Sequence, residues 1–334
     1  ITRYRFFEMI PGLLAWTTII LMVILSWLTP VFVAIFIILF DVYWLLKTAY
    51  LVLHLRSTFV KTRKNFKINW LEKLENIFSD PDAKTWLLEK PAARNSDKPK
   101  ISDWGELYHL IIFPMYKEPY ELVKETFENL ANVNYPKDKI IVALGTEEKA
   151  GESAKEIARK IEKEFGDKFF KFIITNHPAN LPGEIPGKGS NQTWIAKEVK
   201  KQVIDPLKIP YENIIASVFD VDTYIYPDYF ARLVYVFLTC EKPLKSSLQP
   251  VPLFANNIFQ APALGRVIAF SSTFWQMVKQ SRPERLTTFS SHSMPFKAIV
   301  EIGFLQTDVV SEDSRIFWQC YFRHNGDWRV VPLF

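Results

Sequence analysis

From Ile10 to Leu28 the chain carries no charged residue, and beyond Thr29 and Pro30 a second apolar run extends from Val31 to Leu53, broken only by Asp41 and Lys47. At ~1.5 Å of rise per residue, a helix over the first run just crosses a hydrocarbon layer about 30 Å thick. Segments that are apolar on every side need burial on every side, and the rest of the sequence offers too little partner surface for that. The pair therefore reads as a transmembrane helical hairpin, with Pro30 placed to open its second helix. The first run is too long for a signal peptide, and no small-residue cleavage site follows it.

Arg3 and Arg5 precede the pair, while Arg56, Lys61, Arg63, Lys64 and Lys67 follow it. The positive-inside rule assigns both flanks to the cytoplasm, so the expectation is a multi-pass protein of the plasma (inner) membrane with its remaining chain cytoplasmic. Asp41 falls near mid-membrane on this reading, where an ionised carboxylate must face protein or water; it either lines a path or lies near a bilayer edge. The sequence opens on Ile1 and closes on Phe334 in an apolar stretch, so both ends read as cuts in a longer protein. Among the 334 residues, 41 basic and 36 acidic side chains are interspersed, a distribution that gives no footprint for nucleic acid. Two cysteines, Cys240 and Cys320, are too few for a disulfide framework.

Phe66, Trp70, Leu74 and Ile77 recur at helical spacing within Phe66–Phe78, which suits either a helix along the membrane interface or one packed on the following domain. Glu89 to Asp103 is polar, proline-bearing and without period, and reads as a linker. The expected division is residues 1–56 as two membrane helices, 57–103 as interfacial helix and linker, and 104–334 as a cytoplasmic domain. In that domain, strands are predicted at Tyr108–Phe113, Lys139–Leu144, Phe169–Thr175 and Asn213–Phe219. Helices alternate with them at about Tyr120–Ala131, Glu152–Phe165 and Asn191–Val203. Such alternation makes a mostly parallel sheet covered by helices, whose ligands bind in the crevice at the carboxyl ends of the strands.

The residues just after those strands carry the chemistry. Asp220 and Asp222 follow an apolar strand with one residue between them, which sets both carboxylates on one side of an extended backbone. Mg2+ or Mn2+ takes oxygen ligands and completes its shell with phosphate oxygens, so this pair suits a diphosphate-bearing substrate; elsewhere an Asp-x-Asp commonly caps a turn. Lys188 stands in a glycine-containing loop ahead of a helix near Asn191, where backbone donors at the helix start would add to it. Glu312 and Asp313 after Ser311 open an amphipathic stretch to Arg323, and the helix dipole alone explains acids there.

Taken in order from about Tyr108 to Phe334, these segments resemble the family 2 glycosyltransferases of GT-A fold, in the membrane-embedded branch of cellulose, hyaluronan and chitin synthases. The resemblance implies a Rossmann-like, mostly parallel mixed sheet covered by helices and preceded by the membrane hairpin. It implies that Pro114, Tyr116 and Glu118 line the nucleotide, that Asp220 and Asp222 hold its diphosphate through Mg2+ or Mn2+, and that Lys188 assists. Ser311-Glu312-Asp313 matches the family's Thr-Glu-Asp motif, with Asp313 as catalytic base and Glu312 beside it. The loop Ser290–Lys297, with His292, falls beside the acceptor, although a core histidine is the plainer reading of His292.

Two departures stand out. The family's Asp-Asp-Gly after the second strand is replaced by Gly145-Thr146-Glu147-Glu148, where Glu147 or Thr146 substitutes as reader of the base. A Gln-x-x-Arg-Trp motif is missing, Gln319 and Arg323 being one residue too far apart. The implied activity is an inverting transfer of a sugar from a nucleotide sugar, with a UDP-sugar as the expected donor, to a polysaccharide or other glycan. Trp275 and Trp318 are candidates for stacking on sugar rings. The alternatives are transfer of one sugar to a polyprenyl phosphate or other lipid, a membrane-anchored sugar-nucleotide binder without turnover, and, last, a nucleotidyltransferase, which would give Ser311-Glu312-Asp313 no role.

Overall fold

The computed structural model describes residues 3–77, 97–256 and 258–334. It separates into two compact units, Ile1–Arg56 and Ser57–Phe334. The expected linker lies outside the described residues as far as Ser96, as does Phe78.

The first unit is helical. Helix α1 spans Arg3–Leu28 and α2 spans Pro30–Asn65, continuing beyond the unit's end. Both are long and apolar enough to cross a membrane. Thr29 alone interrupts them, its carbonyl accepting from the amides of Phe32 and Val33, while Pro30 fills the first helical position, where its missing N–H costs nothing. The second helix outruns its apolar stretch as far as Asn65, and Arg63 and Lys64 suit the negative end of the helix dipole. Asp41 lies on the exposed surface of α2.

The second unit is built on seven strands in the order β3-β2-β1-β4-β6-β5-β7. They are β1 (Tyr108–Pro114), β2 (Ile140–Glu147), β3 (Lys171–His177), β4 (Ile214–Val218), β5 (Ser246–Pro250), β6 (His292–Pro295) and β7 (Arg329–Leu333). The first four are mutually parallel, β6 runs antiparallel to both β4 and β5, and β7 pairs parallel with β5. The Rossmann-like mixed α/β sheet expected from the sequence is therefore observed. β2 extends past its apolar run to Glu147, because Gly145, Thr146 and Glu147 stay paired with Thr175, Asn176 and His177.

Strand alternation sorts the core into two layers. Ile111 and Phe113 of β1 face one layer, where α3 (Trp70–Glu75), α4 (Tyr120–Ala131), α5 (Glu152–Phe165) and α7 (Tyr229–Thr239) contribute Leu74, Phe127, Phe165 and Phe230. Leu110 and Ile112 face the other. There α6 (Lys188–Val199), α9 (Phe296–Glu301) and α10 (Glu312–Arg323) bring Ile195, Phe296, Ile316 and Cys320. Helix α8 (Ala263–Gln280) follows β5.

Of the two readings of Phe66–Phe78, the packed helix is the one observed. Trp70, Leu74 and Ile77 are buried in the first core layer, and only Phe66 stays exposed, stacked on Tyr226 with ring centroids 4.5 Å apart. The apolar stripe is explained by the sheet-covering helices it packs against, since α3 caps α7 and the Trp70 indole donates to the Asn65 carbonyl.

Candidate active site

The strand order reverses between β1 and β4, and at such a reversal a crevice opens at the carboxyl ends of the strands. A cavity of about 580 Å3 lies there, lined by Pro114, Tyr116, Glu118, Glu147, Lys149, Gly187, Lys188, Asn191, Asp220 and Asp222, among others. Every residue expected to touch the nucleotide or its diphosphate, Thr146 excepted, thus borders one cavity, although they come from four separate stretches of chain.

Each is held by a local device. The Glu118 carboxylate accepts from the Tyr116 amide at 2.7 Å, closing the loop after β1. The turn carrying Asp220 and Asp222 is clamped from α4: Thr126 Oγ1 donates to the Val221 carbonyl, and Asn129 exchanges two hydrogen bonds with Ile225. Asn256 Nδ2 donates to the Asp222 carbonyl from the segment after β5. Ser290, with φ +47°, donates from Oγ to Asp220 Oδ2 at 3.3 Å, so the loop expected beside the acceptor reaches the acidic pair through its hydroxyl.

Helix α6 begins at Lys188, three residues before the expected start, because Gly187 adopts φ +156° at its N-cap, a conformation that L side chains rarely take. Lys188 then projects from the first turn, with Nζ 2.7 Å from Asp220 Oδ1 and 3.7 Å from Asp313 Oδ2. Burial alone would lower the Lys188 pKa, but Asp313 and Asp220 outweigh it and the net shift is upward, so the ammonium is firmly charged. Asn191 sits deeper in the helix and donates to the Gly145 carbonyl at 3.0 Å, bracing the end of β2.

Gly189 allows the close meeting of α6 with α10, since a Cβ there would stand 3.0 Å from Glu312 Cβ and Cγ. Glu312 is buried, and its pKa is raised by desolvation and then by the charge of Asp313. Asp313 keeps partial exposure, with Oδ1 buried and without a hydrogen-bond partner among the described residues. Asp313 thus presents one oxygen to the Lys188 ammonium, while the other is buried behind the cavity wall.

Asp222 has its pKa raised by desolvation first and by Asp220 second, and it has no ion-pair partner among the described residues. Two hard oxygen donors on one turn, each repelled by the other, fit a divalent cation. Among the described residues no cluster of three or more His, Cys, Asp or Glu forms a protein-only metal cage, so phosphate oxygens would complete the shell.

Glu147 lines the cavity with its pKa raised by desolvation, while Thr146 turns its hydroxyl to the Thr175 carbonyl of β3 and so has no part in the cavity wall. Beside Glu147, His177 Nε2 is 3.0 Å from Glu184 Oε2. His292 is buried on β6, with Nδ1 3.0 Å from the Ser290 carbonyl and its pKa lowered by burial, as a core histidine would be. Neither Trp275 nor Trp318 lines the cavity: the first is exposed on α8, the second packs among Phe317, Tyr321 and Phe322 on α10. Gln319 bonds the Gln306 amide and the Phe304 carbonyl, tying down the turn before α10.

No family model matches the chain, and no curated protein matches it in sequence. Among solved structures it is similar to the mannosyltransferase PcManGT from Pyrobaculum calidifontis in complex with GDP-Man and Mn2+, at TM-score 0.46 and 13% identity over 85% of this chain and 66% of that one. It is also similar to S. aureus TarS 1-349 in complex with UDP-GlcNAc, at TM-score 0.43 and 13% identity over 68% of this chain and 56% of that one. A third is glucosyl-3-phosphoglycerate synthase from Mycobacterium tuberculosis in complex with Mn2+, UDP and phosphoglyceric acid, at TM-score 0.40 and 11% identity over 78% and 71%. The chain spans less than two thirds of the length of the first two of these proteins.

Proposed function

We propose that the chain is a membrane-anchored, inverting glycosyltransferase of GT-A fold and family 2 that moves a sugar from a nucleotide-diphosphate sugar to a glycan acceptor. The observation that carries this is the Lys188 ammonium, 2.7 Å from Asp220 on one side and 3.7 Å from Asp313 on the other. It links the acidic pair that lines the cavity to Asp313, the proposed base, which stands behind Lys188 and is not itself among the lining residues.

In the proposed reaction Asp313 accepts the proton of an acceptor hydroxyl as that oxygen bonds to the anomeric carbon. The bond from that carbon to the diphosphate oxygen breaks, and the nucleoside diphosphate leaves with the electron pair. Lys188 meets the growing negative charge on the leaving group, a task in which preorganised cations contribute strongly. Mg2+ or Mn2+ bound by Asp222 and Asp220 would supply further charge neutralisation there. Pro114, Tyr116 and Glu118 flank the nucleotide and Glu147 meets its base, while Glu312, packed on Gly189, positions Asp313. The two apolar helices support anchoring of residues 1–56 in the plasma (inner) membrane with residues 104–334, the transferase, on the cytoplasmic side.

The test is release of nucleoside diphosphate by membranes carrying the full chain, across UDP- and GDP-sugars with Mg2+ or Mn2+. Release from one donor that requires the cation supports the reading. Binding without release from any donor, with glycan and polyprenyl-phosphate acceptors supplied, would replace it with that of a sugar-nucleotide binder.

A further inference from the structure

Helix α8 is built inside out over residues 263–273, where the less exposed side chains, Gly265, Ala269, Ser272 and Thr273, are small or polar, whereas Leu264, Val267, Ile268 and Phe270 are exposed. Its last turns bury Gln276, Val278 and Gln280 and leave Trp275 exposed. Val267 and Phe270 are each 66% exposed, and Phe259 just ahead of the helix is 90% exposed. Helix α5 shows the ordinary arrangement, with Ala154, Ala158, Ile161 and Phe165 buried and its lysines and glutamates outward. A contiguous exposed apolar face of this kind marks a surface that something apolar covers.

Charge and attachment both point to what covers it. From Val251 to Pro283 there is no Asp or Glu, while Arg266 and Lys279 of α8 are basic and Arg282 beyond it pairs with Glu284; the two helix cations suit anionic lipid headgroups. Thr58 Oγ1 donates to the Met277 carbonyl of α8 at 2.6 Å. Thr58 follows Leu55, the last apolar residue before the cationic segment from Arg56 to Lys67, so α8 is fastened to the chain where it leaves its apolar run. Large apolar and aromatic side chains beside a few cations on one helix are what an element lying in the headgroup layer requires.

We infer that α8, with Phe259, is a lipid-binding surface that lies in the headgroup layer of an anionic bilayer and seats the folded domain on it. The inference stands whether or not the cavity transfers sugar. It also reassigns the interfacial helix, which the sequence suggested at Phe66–Phe78, to a segment some two hundred residues later.

The test uses the full chain reconstituted in phosphatidylcholine–phosphatidylglycerol vesicles, spin-labelled at Val267→Cys, at Phe270→Cys or, as an aqueous control, at Lys163→Cys on α5. The unsubstituted chain corrects for labelling of Cys240 and Cys320. Labels at positions 267 and 270 should collide severalfold more with oxygen, relative to a water-soluble nickel chelate, than the label at 163, and should move outward in vesicles of phosphatidylcholine alone. Ratios equal to the control would overturn the proposal. So would labels shielded from both reagents together with disulfide-linked dimers through position 267, which would assign the face to a second copy of the chain. Equal depth in both lipid mixtures would overturn the assignment to an anionic surface.

Discussion

A methyl group on Gly189 would stand 3.0 Å from Cβ and Cγ of Glu312, so the first turns of α6 and α10 are in contact with no room between them. The turn on one side carries Lys188 and the turn on the other carries Asp313. Gly189→Ala should therefore push the two apart and lower turnover more than it lowers stability. Misplacement of reacting groups by about 1 Å is worth up to ~100-fold, and about tenfold is expected here. Steady-state kinetics beside a thermal melt would check it.

Asp313→Asn removes the proton acceptor and leaves the cavity wall intact. Positioned general-base catalysis contributes about 10²- to 10⁴-fold, so turnover should fall by that factor while donor affinity, read by calorimetry, persists. Full activity in this variant would end the assignment of Asp313.

Lys188→Met removes the cation that sits between Asp220 and Asp313. Hydrogen bonds to charged groups contribute ~1.5–3 kcal/mol, which corresponds to a weakening of donor binding by about 10- to 100-fold. Unlike Asp313→Asn, this change should appear in the Kd of the donor.

Asp222→Asn should make donor binding insensitive to divalent cations, and chelation of the unsubstituted protein with EDTA should bring its donor affinity down to that of the variant. A variant that still responds to Mn2+ would show that Asp222 is not a ligand.

Glu312 gives a pH signature. Its folded pKa is raised above the ordinary carboxyl value by burial and then by Asp313, so the native state holds its proton more tightly than the unfolded chain does. The stability it contributes is full below the unfolded pKa and is lost as pH rises through the folded one. Ionised Glu312 is thus a net cost at neutral pH. Glu312→Gln should melt higher than the unsubstituted protein at pH 7, with the gap closing as the pH falls to about 4; differential scanning calorimetry across that range would measure it.

Much of the framework was legible because it rests on local pattern. Apolar runs of strand length gave β1 to β4, and Asp220 and Asp222 stood out because they directly follow one of them. Long-range tethers were not legible: Thr126 and Asn129 clamp the Asp220–Ile225 turn from a helix about a hundred residues earlier, and on the sequence they are ordinary polar residues in an amphipathic segment. Trp275 misled for a related reason. Its chemistry suits a sugar ring, but only the packing of α8 reveals that it faces away from the domain's own side chains. The side chains of Phe66–Phe78 had the periodicity of either environment, and the choice between lipid and core was made by α7 lying within reach.

Strand β7 (Arg329–Leu333) docks parallel to β5 (Ser246–Pro250), and the chain between them includes α10 and Asp313. Contacts distant in sequence must wait for the intervening chain. During synthesis from the N-terminus, the cavity at the ends of β1 and β4 can take shape while Asp313 is still inside the ribosome. On the proposed reading the nascent domain is then a chemically silent vessel, and it gains its proton acceptor only once the chain as far as α10 has emerged.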